Sequence, residues 1–282
     1  VKFSFLDYIA CLIGGSSEKG VKEVVSYIKK FNSHGNSSIF RYKLKSFSSL
    51  AALANGIMGH ALDFDDTYKY FGFHPSAVVF PTLLALGEEN NANGKELILS
   101  YTIGVELGLK IGLASKKPFH EYGWMVTSLL GIFSATLSAG KILNLNKEII
   151  HNALGIAYHL ASGNLECIAE GTLTKRLTAG LTAENAVRSL LLSREGLTGP
   201  KEFLSGKHGF YNVYLRGLWD PEKLMREEKT YEILNIALKP YPSCRFTHAP
   251  IDAMLKLRAI NIPYNNIKSI KIGLNKYGKT VA

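Results

Sequence analysis

His60-Ala61-Leu62-Asp63-Phe64-Asp65-Asp66-Thr67, followed by a short aromatic loop that ends at His74-Pro75-Ser76, is the stretch around which the chain is organised. It sets three carboxylates within four residues, framed by apolar side chains and two histidines. The apolar run from Leu53 to Leu62 predicts a helix. Continued to Thr67, that helix would carry His60, Asp63 and Thr67 at i, i+3 and i+7, on one face. Asp65 and Asp66 would then point elsewhere, towards the helix end or solvent. Carboxylates at a helix C-terminus are disfavoured by the dipole and persist when they are used or paired locally. Pro75 restarts the chain as the first residue of a second apolar helix, with His74 at its mouth. Two helix ends thus deliver an acid–base set to one place, although an acidic helix end before a loop is also an ordinary surface feature. Clustered aspartates are hard ligands for a divalent ion. No second carboxylate cluster supplies the remaining ligands, so no metal is expected.

Outward from this stretch the pattern is helix after helix. Phe5 to Ile13, closed by Gly14-Gly15, and Val21 to Phe31 have helical spacing, and Ser33 to Ser38 reads as a loop. Ser48 to Leu62 is an Ala- and Leu-rich helix leading into the acidic stretch. Ser76 to Glu89 is apolar nearly all round and is expected to be buried, and Asn90 to Gly94 is a turn. Lys95 to Ser115 carries Gly104, Gly108 and Gly112 at four-residue spacing, a bare stripe that lets another helix backbone approach. Tyr122 to Gly140 has no charged residue and reaches the ~20 residues of a membrane span. Its Ser128, Ser134, Thr136, Ser138 and glycines fit a buried core helix better. Leu145 to Gly163, capped by Asn146, and Thr172 to Glu195, ended by Gly196, follow. The glycine stripe and the uncharged helix exceed what such a body leaves solvated, so part of their burial is expected across a homodimer.

The texture changes after Gly206. Ile233 to Leu238 and Ile267 to Leu274 read as strands, with a helix from His248 to Ala259 between them. The expected fold is therefore mainly α: a large all-helical domain over residues 1–208 and a smaller α/β lid domain over residues 209–282. A βαβ unit alone is too small a sheet to stand by itself, so the lid is expected to be cut off at Ala282. Val1 stands where an initiating Met would, so an upstream piece is expected too.

Composition narrows the function. The chain has 282 residues, 46% hydrophobic and 20% charged, as ordinary soluble proteins do. Its net charge of +10 is spread along the chain, with no basic stripe interleaved with aromatics, which excludes a nucleic-acid groove. Diffuse positive charge fits the steering of a small anionic substrate. Cys11, Cys167 and Cys244 lack any CxxC spacing and no signal peptide is visible, which points to a reducing, cytoplasmic setting. Nucleotide-binding glycine loops, a Gly-x-Ser-x-Gly elbow and zinc spacing do not occur in context, so the chemistry is expected from side chains. Two stretches supply them. Lys175-Arg176 opens a helix, where the dipole also favours anions. Lys239-Pro-Tyr-Pro-Ser-Cys-Arg245-Phe-Thr-His248 gathers cations around two stiffening prolines.

Taken together, Asn55-Gly56, His60 to Thr67, His74-Pro-Ser76, Lys175-Arg176-Leu177, Gly196-Leu-Thr-Gly-Pro200 and Lys239 to His248 resemble the MmgE/PrpD family. That family includes 2-methylcitrate dehydratases, cis-aconitate decarboxylases and iminodisuccinate epimerases. The resemblance implies a helical domain with an α/β lid, a homodimer, and catalysis without a metal or organic cofactor. It also implies acid–base roles for Asp63, Thr67 and His74, with catalytic lysines at Lys175 and Lys239. The chain departs from the pattern twice: Met125 and Thr178 stand where members often have histidines. The expected activity is a lyase or isomerase acting on a small di- or tricarboxylate, 2-methylcitrate dehydratase-like first. Its carboxylates would be held by Lys175 and Lys239 with Arg245, His248 and Arg176. His74 or Asp63 would move the proton α to a carboxylate, and the lysines would stabilise the enediolate-like charge. The alternative is a degenerate, non-catalytic member that keeps the fold and binds a carboxylate.

Overall fold

Polar caps set several of the helix starts. The computed structural model describes residues 1–31, 34–226, 230–274 and 278–279. Helices α1 (Lys2–Gly15) and α2 (Val21–Lys29) lead to a hairpin of β1 (Ser37–Ile39) and β2 (Leu44–Ser46), then to α3 (Ser48–His60). The two-residue strand β3 (Thr67–Tyr68) precedes α4 (Ser76–Glu89) and α5 (Gly94–Leu113). Asn93 caps α5 by accepting from the Lys95 and Glu96 amides at 2.9 and 3.2 Å, and Glu96 reaches back to the Asn93 amide. Helix α6 (Val126–Ile142) is followed by α7 (Lys147–Leu160), whose first turn is held by the Asn146 side chain at 2.9 Å from the Ile149 amide. The short α8 (Glu166–Ala169) leads to α9 (Thr174–Arg194), which ends before Gly196 at φ 97°. Beyond it come α10 (Phe210–Leu215), α11 (Pro221–Met225), β4 (Ile236–Ala237) and α12 (His248–Arg258). The fold is mainly α with a small α/β part, as expected.

The core lies between α3, α4, α5, α6 and α9, and α6 is buried along most of its length. Among the described residues no helix is long and apolar enough to cross a membrane. The uncharged stretch is thus a core helix. The glycine stripe of α5 packs inside the chain: a Cβ on Gly104 or Gly108 would strike Ser138 or Ser134 of α6, and one on Gly112 would strike Phe71. Its burial therefore needs no second copy, which removes that ground for expecting a dimer.

The α3–α9 crossing is closer still, with Gly56 against Gly180. A Cβ on Gly56 would stand 2.7 Å from the Gly180 Cα, a backbone atom that cannot swing aside. Gly56→Ala is expected to lower stability by about 1–3 kcal/mol, the usual result of overpacking. Chemical denaturation with an unchanged m-value checks this.

Three sequence expectations need correction. Ser33 to Ser38 is not wholly loop: Ser33 lies outside the described residues, and Ser37 and Ser38 belong to β1, whose Ser37 hydroxyl donates to the Ala85 carbonyl at 2.7 Å. The strand expected over Ile233 to Leu238 shrinks to Ile236–Ala237, after a 3-10 turn, Glu232–Asn235. It pairs antiparallel with β3, Thr67 opposite Ala237, so its partner is the acidic loop and not the strand expected over Ile267 to Leu274. Residues 267–274 form no strand, since alternation alone supplies no edge to pair with. Just past residue 208, Phe210, Tyr211 and Leu215 are fully buried.

Candidate active site

Helix α3 ends at His60, and the chain turns because Asp63 adopts φ 52°, a left-handed conformation that Asp tolerates better than most residues. That turn breaks the helical face expected to hold His60, Asp63 and Thr67 together. Asp63 swings towards the lysines. Thr67 enters β3 and is buried. Asp65 and Asp66, expected to point towards the helix end or solvent, are both 0% exposed. The physical reason is that each finds buried partners.

Asp63 is clasped by two cations from distant parts of the sequence. Lys239 Nζ donates to Asp63 Oδ1 and to the Asp63 carbonyl, both at 2.7 Å, and Lys175 Nζ lies 2.7 Å from Oδ2. Burial alone would raise the Asp63 carboxyl, but Lys175 and Lys239 outweigh it and hold it well below the usual carboxylate range. Two ammonium groups face one carboxylate, so the cluster keeps a net positive charge. The helix start at Lys175 and the stiff turn at Lys239 therefore converge on the loop after α3.

Behind this cluster sits a set built from imidazoles and carboxylates. Asp65 accepts from His60 Nδ1 at 3.0 and 2.9 Å, and its Oδ2 lies 3.4 Å from His74 Nδ1. His74 Nδ1 is also 2.9 Å from the Asp66 carbonyl. A carbonyl only accepts, so Nδ1 carries the proton and Nε2 keeps its lone pair. Burial, with Lys239 nearby, pushes the His74 imidazole down to about 3, so it is neutral at physiological pH. Asp66 is held by Ser76: the Ser76 amide and hydroxyl donate to its two oxygens at 3.2 and 2.6 Å, and the hydroxyl meets Tyr101 at 2.7 Å. Burial pushes the Asp66 carboxyl up to about 7, against those hydrogen bonds and with the help of Asp65.

The ligand atoms of His60, Asp65 and His74 lie within 4.8 Å of one another, close enough to hold a metal ion. Asp65 already accepts from His60 Nδ1, His74 Nδ1 already donates to the Asp66 carbonyl, and Lys239 bears on His74 and Asp65 with a like charge for any cation. The trio fits an acid–base role better than a dication.

The three residues expected to grip substrate carboxylates use their charged ends elsewhere. Arg176 is paired with Glu18 at 3.2 Å and donates to the Lys19 carbonyl at 2.9 Å, tying α9 to the α1–α2 joint. Arg245 Nη1 donates to the Tyr68 carbonyl at 3.2 Å, and His248 Nε2 lies 3.2 Å from the Ser243 carbonyl. These contacts hold the turn around Lys239 in place. Thr178 lines a cavity of about 250 Å³ with Ser128, Gly163, Asn164, Cys167 and Thr174. Met125 is buried beside it, its amide donating to the Gly163 carbonyl at 3.2 Å. Residues missed at the level of sequence are His60, Asp65 and Asp66. Their presence in one motif with Asp63 was the available signal.

Residues 1–222 match the model of the MmgE/PrpD N-terminal domain. The chain belongs to the MmgE/PrpD family. It is 27% identical over 270 residues to a cis-aconitate decarboxylase of Aspergillus terreus, covering 91% of this chain and 55% of that protein. It is 29% identical over 271 residues to the cis-aconitate decarboxylase of Mus musculus, covering 91% and 54%. A third relative, the cis-aconitate decarboxylase-like protein oryM of Aspergillus oryzae, is 26% identical over 297 residues, covering 98% and 61%. The chain thus spans little more than half the length of the curated relatives it matches.

Proposed function

We propose that this chain carries the proton-transfer and carboxylate-binding site of a lyase acting on a small di- or tricarboxylate, without a cofactor. The observation that supports it best is Asp63 between Lys175 and Lys239, with neutral His74 within electrostatic reach of both Asp63 and Lys239. Asp63 is held as an anion too strongly to serve as the base, so that role falls to His74 Nε2. The lysines meet a substrate carboxylate and stabilise the charge that develops on it as His74 removes the neighbouring proton. Loss of a β-hydroxyl as water then completes a dehydration. Because His74 starts without a proton on Nε2, reactions that begin with proton removal come first, and 2-methylcitrate is the first substrate to test. Decarboxylation is the second reading, favoured by the relatives named cis-aconitate decarboxylases.

A two-domain division near residue 209, a homodimer and a cytoplasmic location belong to the same proposal. The free cysteines Cys11, Cys167 and Cys244 support the last. A non-catalytic carboxylate-binding protein is the competing reading, favoured by Met125 and Thr178.

Incubating the chain with 2-methylcitrate, citrate, cis-aconitate and iminodisuccinate separates the two. Turnover of one of them is expected, and Met125→His is expected to raise it, since a placed acid–base group contributes about 10²–10⁴-fold. No turnover by a folded chain or by its Met125→His variant would leave the binding protein as the better account.

A further inference from the structure

We propose that Asp65 is the positioning residue of this site, a single buried carboxylate that accepts from His60 Nδ1, faces the Nδ1 edge of His74 and so fixes the direction in which His74 presents its base. The proposal rests on His74 as the proton-transfer residue. Its geometry is independent of which substrate is used.

Asp65 is 0% exposed, and a buried carboxylate persists only where hydrogen bonds replace water. His60 Nδ1 supplies them at 2.9 and 3.0 Å, and His74 Nδ1 stands 3.4 Å from the same oxygen that His60 meets most closely. Burial would raise the Asp65 carboxyl, but His60 and His74 bring it down to about 2, so it stays an acceptor. The rings lie 5.1 Å apart between centroids, inclined at 59°, as two groups that converge on one acceptor should. An acceptor facing Nδ1 places the proton there and leaves Nε2 bare on the ring edge away from Asp65. His60 is itself buried at the end of α3, so through Asp65 the helix end holds the ring of His74. The Asp66 carbonyl, 2.9 Å away, accepts the hydrogen bond of His74 Nδ1, and the Asp65 charge behind it favours the same Nδ1–H form. Asp65 does not touch the lysine pair, so its role concerns proton transfer and not carboxylate binding.

The test is Asp65→Asn, which keeps the shape and exchanges one oxygen for a donor. A carboxamide cannot accept equally from both rings, so at least one of them must shift its proton to Nε2 or lose its partner. Nitrogen-15 NMR of the histidine-labelled chain, assigned with His60→Gln and His74→Gln, reads the tautomers directly. In the unmodified chain both rings are expected as Nδ1–H forms, and in Asp65→Asn at least one changes. With a turned-over substrate, kcat is expected to fall about 10²–10⁴-fold with KM changed less than about threefold. A purely structural Asp65 would lower melting temperature and leave the tautomers alone. An Nε2–H form of His74 in the unmodified chain overturns the proposal even if Asp65→Asn fails to fold, and so does an unchanged pair of tautomers in the variant. Absence of turnover on every substrate counts against the proposed reaction only, because the tautomer measurement needs no activity.

Discussion

Replacing Lys239 with Met should cost about 1.5–3 kcal/mol of folding stability, because the Asp63 carboxylate and carbonyl lose a buried, charged hydrogen-bond donor while Lys175 still balances the charge. Lys239 is only 5% exposed, and its ammonium meets both the carboxylate and the carbonyl of Asp63. Lys175 cannot replace it: its side chain is 28% exposed and already engages the other oxygen. The loss should depend on pH with a definite sign. Asp63 is held below its ordinary value of 3.8, so the stability it contributes is present above about pH 4 and is lost as pH falls further. The gap between the original chain and Lys239→Met should therefore be full at pH 7 and narrow in acid. Urea denaturation at several pH values measures it. A gap below about 1 kcal/mol at pH 7 would show that the clasp on Asp63 holds little together. The same variant should also weaken substrate capture, because a carboxylate would meet one ammonium group where it now meets two.

His74→Gln is expected to lower kcat by about 10²–10⁴-fold with little change in melting temperature. The glutamine can still donate to the Asp66 carbonyl, but it offers no titratable nitrogen where Nε2 stood. The pH profile separates this from a loss of packing. An ordinary histidine base would impose an acid limb near pH 6.5, whereas burial pushes His74 down to about 3. Activity should therefore stay level through pH 6.5 on the acid side, down to the point where the fold itself fails. A clear acid limb near pH 6.5 would mean that another histidine carries the proton.

Much of the helical body was legible because its signals are local. Helix α4 runs from Ser76 to Glu89, the bounds that Pro75 on one side and Asn90 on the other imply. Asn146 and Gly196 mark ends that need nothing beyond their own turns. The end of α3 was not legible. Nothing between Leu53 and Thr67 stops a helix, and the left-handed Asp63 is stabilised by Lys175 and Lys239, which are far away in sequence. The same holds for Asp65 and Asp66. Burying a carboxylate is favourable only when its partners are known, and His74, Ser76 and Tyr101 belong to the loop and helices beyond. Arg176, Arg245 and His248 mark the opposite failure. Charge beside a candidate site suggested substrate, while Glu18, the Tyr68 carbonyl and the Ser243 carbonyl were the actual partners. Alternation over 267–274 misled for a similar reason, since a strand exists only with an edge to pair with.

The proposed reaction requires His74 to move a proton on the carbon next to a carboxylate held at the Lys175–Lys239 pair. Incubation of the chain in D₂O with 2-methylcitrate, followed by proton NMR, tests it most directly. The expected result is loss of that proton signal, by exchange with deuterium or by formation of the unsaturated product, in the original chain and in neither His74→Gln nor Lys239→Met. A folded chain that returns 2-methylcitrate with its protons in place, and does the same to citrate, would contradict the account.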